Sequence, residues 1–169
     1  MQNKKKQQGV TLIELVVVVV VLAIMVAVAV PSYQQMAAKS AIRSASQDLR
    51  SALSEARTEA LAQRKAVSLE STKGTCDGEE VEGWAHGWQL ATYTGDVRSW
   101  RVTHCHIKVQ LVPAADLITF LRSGFYKKVG NETNGAEFCI SSPRAKNYVH
   151  KISVGINGQV HVGHASGCN

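Results

Sequence analysis

The chain has 169 residues, with nineteen lysines and arginines against thirteen acids and a formal charge of +6. That length suits one modest core. The charge is too small to mark a nucleic-acid binder by itself, and three of the positive charges, Lys4, Lys5 and Lys6, sit together at the extreme N-terminus.

Behind those lysines comes Gly9, then Val10, Thr11, Leu12, Ile13 and Glu14. From Leu15 to Val30 no residue is charged or polar. With the residues just before it, this run approaches the ~20 that cross a bilayer core. The lysines should remain cytoplasmic by the positive-inside rule, which puts the C-terminus in the periplasm or outside. An ordinary secretory signal has a shorter apolar core, with its cleavage site behind it. Here the glycine precedes the apolar run, so a cut there keeps the hydrophobic segment. In a plain signal anchor Glu14 would be an accident; a carboxylate at the head of an apolar span is costly and marks function.

Gly9 to Glu14 and the run behind it resemble the N-terminus of the type IV pilin and pseudopilin superfamily, with Val10 standing where phenylalanine is usual. The resemblance implies cleavage between Gly9 and Val10 by a prepilin peptidase, and N-methylation of Val10. It implies an assembly role for Glu14, whose buried carboxylate seeks a positive partner such as a neighbour's amino terminus. It also implies a single-pass inner-membrane precursor in contact with lipid, handled by an inner-membrane assembly platform and moved into a pilus at the cell surface. Pro31 falls where these helices commonly carry a proline and is expected to kink the helix. Residues 1–9 are then the leader, 10–30 the membrane and filament-core half of the helix, 31–64 its amphipathic half, and 65–169 a β-rich globular domain. Losing the leader leaves sixteen basic against thirteen acidic side chains, a net of +3.

Beyond Pro31, Ile42, Ala45, Leu49, Leu53, Ala56 and Ala60 recur at three- and four-residue spacing among good helix formers. One helix over residues 10–63 would be about 80 Å long. The rest reads as short strands at 66–70, 87–92, 99–103, 108–111, 117–120, 137–141, 151–156 and 159–162. Asn157-Gly158 signals a two-residue hairpin turn, and residues 72–83, rich in glycine and acid, read as a mobile loop. The fold class is α+β, a long helix packed on an antiparallel sheet. Trp84, Trp88 and Trp100 read as packing residues.

Cys76, Cys105, Cys139 and Cys168 all lie beyond the apolar segment, on the oxidising side. An even count there favours two disulfides over a metal or catalytic site. Three connectivities are open; Cys76–Cys105 and Cys139–Cys168 are favoured because each joins sequence neighbours.

A second resemblance is to the GspH/FimT (FimT/FimU-like) family of minor pilins and pseudopilins. Residues 53–60 (LSEARTEA) resemble its helix end, residues 66–69 its first strand and Gly87-Trp88 its "GW" strand. Residues 118–120 with Gly124 resemble a later turn, and 152–162 its terminal hairpin. The resemblance implies a non-catalytic subunit without cofactor or metal, partnered by other major and minor pilins in a priming or tip complex. The related readings are a minor pseudopilin of type II secretion and a DNA-uptake pilin. DNA-binding members carry glycine-arginine-x-arginine in that hairpin; here Gly158, Gln159, Val160 and His161 stand there, without either arginine. Lys127, Lys128, Arg144, Lys146, His150 and Lys151, with His161, are the residues left for a phosphate-binding patch. His104-Cys105-His106 is the one cluster suited to a metal or thiolate, but on a strand the two histidines would face away from the cysteine. No nucleophile elbow, phosphate loop or metalloprotease helix occurs, so no enzyme is expected.

Overall fold

A computed structural model describes residues 11–91, 97–127, 135–165 and 167. Gly9, Val10, Lys128 and Cys168 therefore lie outside the described residues.

Helix α1 runs from Leu12 to Gln63 without a break and includes Pro31. Thr11 caps it, its hydroxyl accepting the Glu14 N–H at 3.3 Å, and Glu14 places an acid in the first turn, where the helix dipole is positive. Pro31 leaves the carbonyl of Ala27 without its helical donor. Burial begins only at Ala38. From there Ala41, Ile42, Ala45, Leu49, Ala52, Leu53, Ala56 and Ala60 form a buried stripe, and its many alanines let the backbone of α1 lie close to the sheets. The helix ends at Arg64, which takes the left-handed conformation (φ 54°, ψ 32°) usually filled by glycine.

Among the described residues ten strands follow: β1 (Val67–Ser71), β2 (Gly74–Cys76), β3 (Glu79–Val81), β4 (Gly87–Ala91), β5 (Val97–Arg101), β6 (Lys108–Val112), β7 (Leu117–Phe120), β8 (Ala136–Ser141), β9 (Val149–Val154) and β10 (Val160–Ala165). All pairings are antiparallel. The strands form two four-stranded sheets, ordered β5-β4-β1-β7 and β10-β9-β8-β6, plus the small pair β2-β3. The helix thus packs on two sheets, where the sequence suggested one. Residues 113–116 carry the chain from β6 in one sheet to β7 in the other.

Leu69, Leu90, Ile118 and Phe120 of the first sheet, and Phe138, Ile140, Ile152 and Val154 of the second, are buried together with the α1 stripe in one core. Trp84 stitches the sheets: its ring meets Phe138 edge-on at 4.8 Å, and its Nε1 donates to the Ala115 carbonyl at 2.8 Å. Trp88 is also buried, and Trp100 packs partly buried against the core.

Two local expectations need correction. Residues 72–83 hold the hairpin β2-β3, turned by Asp77 (φ 54°) and Gly78 (φ 86°). Two successive positive-φ residues make the tight hairpin turn that an Asp-Gly pair favours. The disulfide Cys76–Cys105, with 5.5 Å between Cα atoms, ties this hairpin to the β5–β6 loop. At the other hairpin the turn is longer than two residues. Gly155 N–H donates to the Gln159 carbonyl and Gly158 N–H to the Gly155 carbonyl, while only Gly158 has positive φ (74°). That is a three-residue loop closed by a left-handed glycine.

Candidate functional site: the assembly helix and the hairpin groove

From Leu12 to Val30 every side chain of α1 is exposed. The segment is long and apolar enough to cross a membrane. Apolar surface on all faces of a helix is stable only in lipid or among other helices. Glu14 is exposed at the head of this segment, and among the described residues no side chain or backbone donor meets its carboxylate.

In its second half α1 sorts its charges by flank. Asp48 lies beside Trp88 and Arg101, and Glu55 pairs with Arg98 of β5. Arg43, Arg50 and Arg57, spaced by seven residues, lie on the other flank. Arg50 and Arg57 line an open groove of about 350 Å³ against Gly158, Gln159, Val160 and His161. Arg57 Nε donates to the Gly124 carbonyl at 3.2 Å, and Arg43 reaches the Tyr148 hydroxyl at 3.5 Å. The arginine-motif positions of the hairpin hold Gln159 and His161, and the arginines beside them belong to the helix. Their seven-residue spacing was visible in the sequence; their neighbour was not.

At the far end of that row His150 is buried, with Nε2 3.1 Å from the Tyr148 hydroxyl and its Nδ1 unpartnered. The His164 ring stands edge-on at 4.4 Å. Burial pushes the His150 imidazole below its ordinary value, and the nearby His164 and Arg43 add to this. Lys39 lies over the Tyr148 ring at 5.8 Å.

The 104–106 segment is a turn rather than a strand. Cys105 is held in its disulfide, and the rings of His104 and His106 are 5.6 Å apart. Burial, followed by Arg144 and His104, lowers the His106 pKa. No group of three metal-ligating side chains occurs among the described residues. Cys139 is also disulfide-bonded; its expected partner Cys168 lies outside the described residues.

The basic residues considered for phosphate are dispersed. Arg144 lies by the Cys76–Cys105 disulfide, and Lys146 is exposed in the loop before β9. Lys127 hydrogen-bonds through its backbone to Thr119 beyond the other end of β9, where Tyr126 N–H meets the Ile156 carbonyl. Lys151 pairs with Glu137 at 3.3 Å, and His161 lies at the border of the helix groove.

The fold is similar to that of the type IV minor pilin FimU of Pseudomonas aeruginosa in two crystal forms. One is 18% identical with a TM-score of 0.58, over 76% of this chain and 95% of that one. The other is 19% identical with a TM-score of 0.56, over 75% and 99%. No curated protein matches the chain. Residues 4–30 match the prokaryotic N-terminal methylation motif, and residues 45–158 match the family described as type II transport protein GspH. With more than half of its length matched, behind a prepilin-type N-terminus, the chain belongs to the GspH family of minor pilins and pseudopilins.

Proposed function

We propose that this protein is a minor pilin of a type IV pilus, acting in a priming or tip complex. The carrying observation is the division of α1: residues 12–30 bare on all sides behind an unpartnered Glu14, and residues 38–60 sealed onto a globular domain. Such a subunit rests in the inner membrane with its C-terminal domain in the periplasm. A prepilin peptidase cuts between Gly9 and Val10, and Val10 is then N-methylated. The assembly platform transfers the subunit from lipid to a helical filament core. There Glu14 meets the amino terminus of a neighbouring major or minor pilin, which compensates its desolvation. Pro31, by removing a backbone hydrogen bond, lets the helix bend as it enters the filament.

A second reading, a minor pseudopilin of type II secretion, is favoured by the description of the matched family. A third, DNA uptake, is supported by the Arg50–Arg57 groove beside His161 and weakened by the absence of both arginines from the hairpin. Deletion of the gene, scored for surface pili, secreted enzymes and transformation, separates the three. Loss of piliation supports the first. Normal pili with lost secretion overturn it in favour of the second. Normal pili with lost transformation favour the third.

A further inference from the structure

The four edges of the two large sheets are not alike. Strand β5 carries Arg98 and Arg101, and β6 carries Lys108 and is followed by Pro113. Strand β7 is covered by the returning chain, where Phe120 bridges Tyr126 and Lys127 N–H meets the Thr119 carbonyl. Charge, proline and cover are the ordinary protections of a sheet edge. Strand β10 (Val-His-Val-Gly-His-Ala) has none of them among the described residues. Among those residues it pairs only with β9, and residues 161–164 are exposed. Val162 is 42% exposed although it lies opposite the buried Ile152.

The ground beside this edge is cationic. Arg57 touches the start of the hairpin through Gly124 and Gly158, Arg50 lines the groove with His161, and Arg43 reaches Tyr148, whose ring is 5.8 Å from that of His164. The row therefore tracks β10 along its length. Arg43 to Arg57 spans about 21 Å at 1.5 Å per residue, and Gly158 to His164 about 20 Å at 3.3 Å per residue. An incoming strand paired to β10 would extend the sheet along this flank of α1, with every second side chain facing the arginines.

We infer that β10 is a docking edge for an extended, acid-rich segment of a partner protein, which adds a strand to the sheet and sets alternate carboxylates against Arg43, Arg50 and Arg57. Main-chain pairing supplies the attachment and the arginine row the selectivity. The unpaired backbone edge favours a peptide over a nucleic acid, which offers no strand to pair. Identifying the partner as a neighbouring pilin rests on the function proposed above; the docking itself does not.

The test uses the mature full chain in detergent and a labelled seven-residue peptide alternating valine and glutamate, followed by fluorescence anisotropy. Three competitors accompany it: the same peptide N-methylated on alternate residues, its lysine-for-glutamate counterpart, and a single-stranded oligonucleotide. Binding of the acidic peptide at least tenfold tighter than both peptide controls, and weakened at least tenfold by Arg50→Glu, is the expected result. The exposed Val162→Lys variant, which places a protective charge on the edge, should weaken it similarly. Equal binding of the N-methylated peptide overturns strand addition, and equal binding of the lysine peptide overturns the charge argument. An oligonucleotide that binds tighter than the peptide and displaces it reassigns the arginine row to nucleic acid. Failure of the peptide to bind while deletion still abolishes piliation overturns the docking edge and leaves the proposed function standing.

Discussion

Arg57 and Gly158 meet over one carbonyl oxygen. Arg57 Nε donates to the Gly124 carbonyl at 3.2 Å, while a Cβ on Gly158 would stand 3.1 Å from that nitrogen and collide with the same oxygen. The end of the helix, the 121–126 turn and the terminal hairpin are thus locked at a point where only glycine fits. Gly158 also has φ 74°, so both sterics and backbone conformation exclude a side chain.

Gly158→Ala should therefore destabilise the folded domain by about 2–4 kcal/mol, combining left-handed strain with displacement of a backbone carbonyl. Urea denaturation of the mature chain in detergent measures it. A loss well under about 1 kcal/mol would mean that the hairpin shifts freely against the helix.

Arg64 poses the opposite case. It ends α1 in the left-handed region with an exposed side chain. Arg64→Gly should raise stability by about 0.5–1 kcal/mol, because glycine adopts that conformation without its Cβ penalty. The same denaturation assay should show a higher midpoint with an unchanged slope.

The disulfide Cys76–Cys105 closes a loop with a sequence separation of 29. Replacing both cysteines by serine should cost about 3.5 kcal/mol in the chain-entropy model. The loss should concentrate in β2-β3, seen as faster amide exchange there than in β8 or β9.

His150 makes stability depend on pH. Its folded pKa lies below the ordinary 6.5, through burial first and then His164 and Arg43. Below 6.5 the unfolded chain binds a proton that the folded chain resists. Stability is therefore full above that value and falls as pH drops through it toward the folded pKa. His106 acts with the same sign. Denaturation midpoints at about pH 7.5 and about pH 5.5 should differ less in His150→Gln than in the unaltered protein. An equal difference would remove His150 as the sensor.

Glu14 sits outside the globular domain, so its replacement should leave folding intact. Glu14→Ala is expected to insert normally into the membrane yet enter filaments at least about tenfold less, since the partner amino terminus is left buried and unpaired. Immunoblots of sheared filaments against membranes decide it; normal incorporation would remove the assembly role.

The two hairpins show where local reading reaches its limit. Asp77-Gly78 is a strong two-residue turn signal, yet the surrounding glycine and acid suggested a mobile loop; β2-β3 forms there, and the disulfide anchors it. Asn157-Gly158 carries the same kind of signal, yet the turn takes in Ile156 as well. Turn residues announce a reversal, but register is settled by the side chains that must face the core, here the buried Ile152 and Val154 of β9, which pair with Val162 and Val160. On a strand His104 and His106 would face away from Cys105; the segment is a turn instead, and Cys105 is held in the disulfide with Cys76 that the sequence favours.

The sequence by itself determined the long helix, its bare and covered halves, the lone carboxylate at its head and the antiparallel character of the rest. These are short-range properties, carried by hydropathy, period and spacing within one segment. Only the tertiary structure decided that the strands divide into two sheets and that β10 is an edge strand, uncovered among the described residues. It alone set the arginines of α1 beside that edge, in place of the two missing from the hairpin. Residues 43, 50 and 57 are about a hundred positions from β10, and no local pattern encodes a neighbour at that distance. It follows from how the buried stripe of α1 is seated on the sheets, a result of packing the whole core at once.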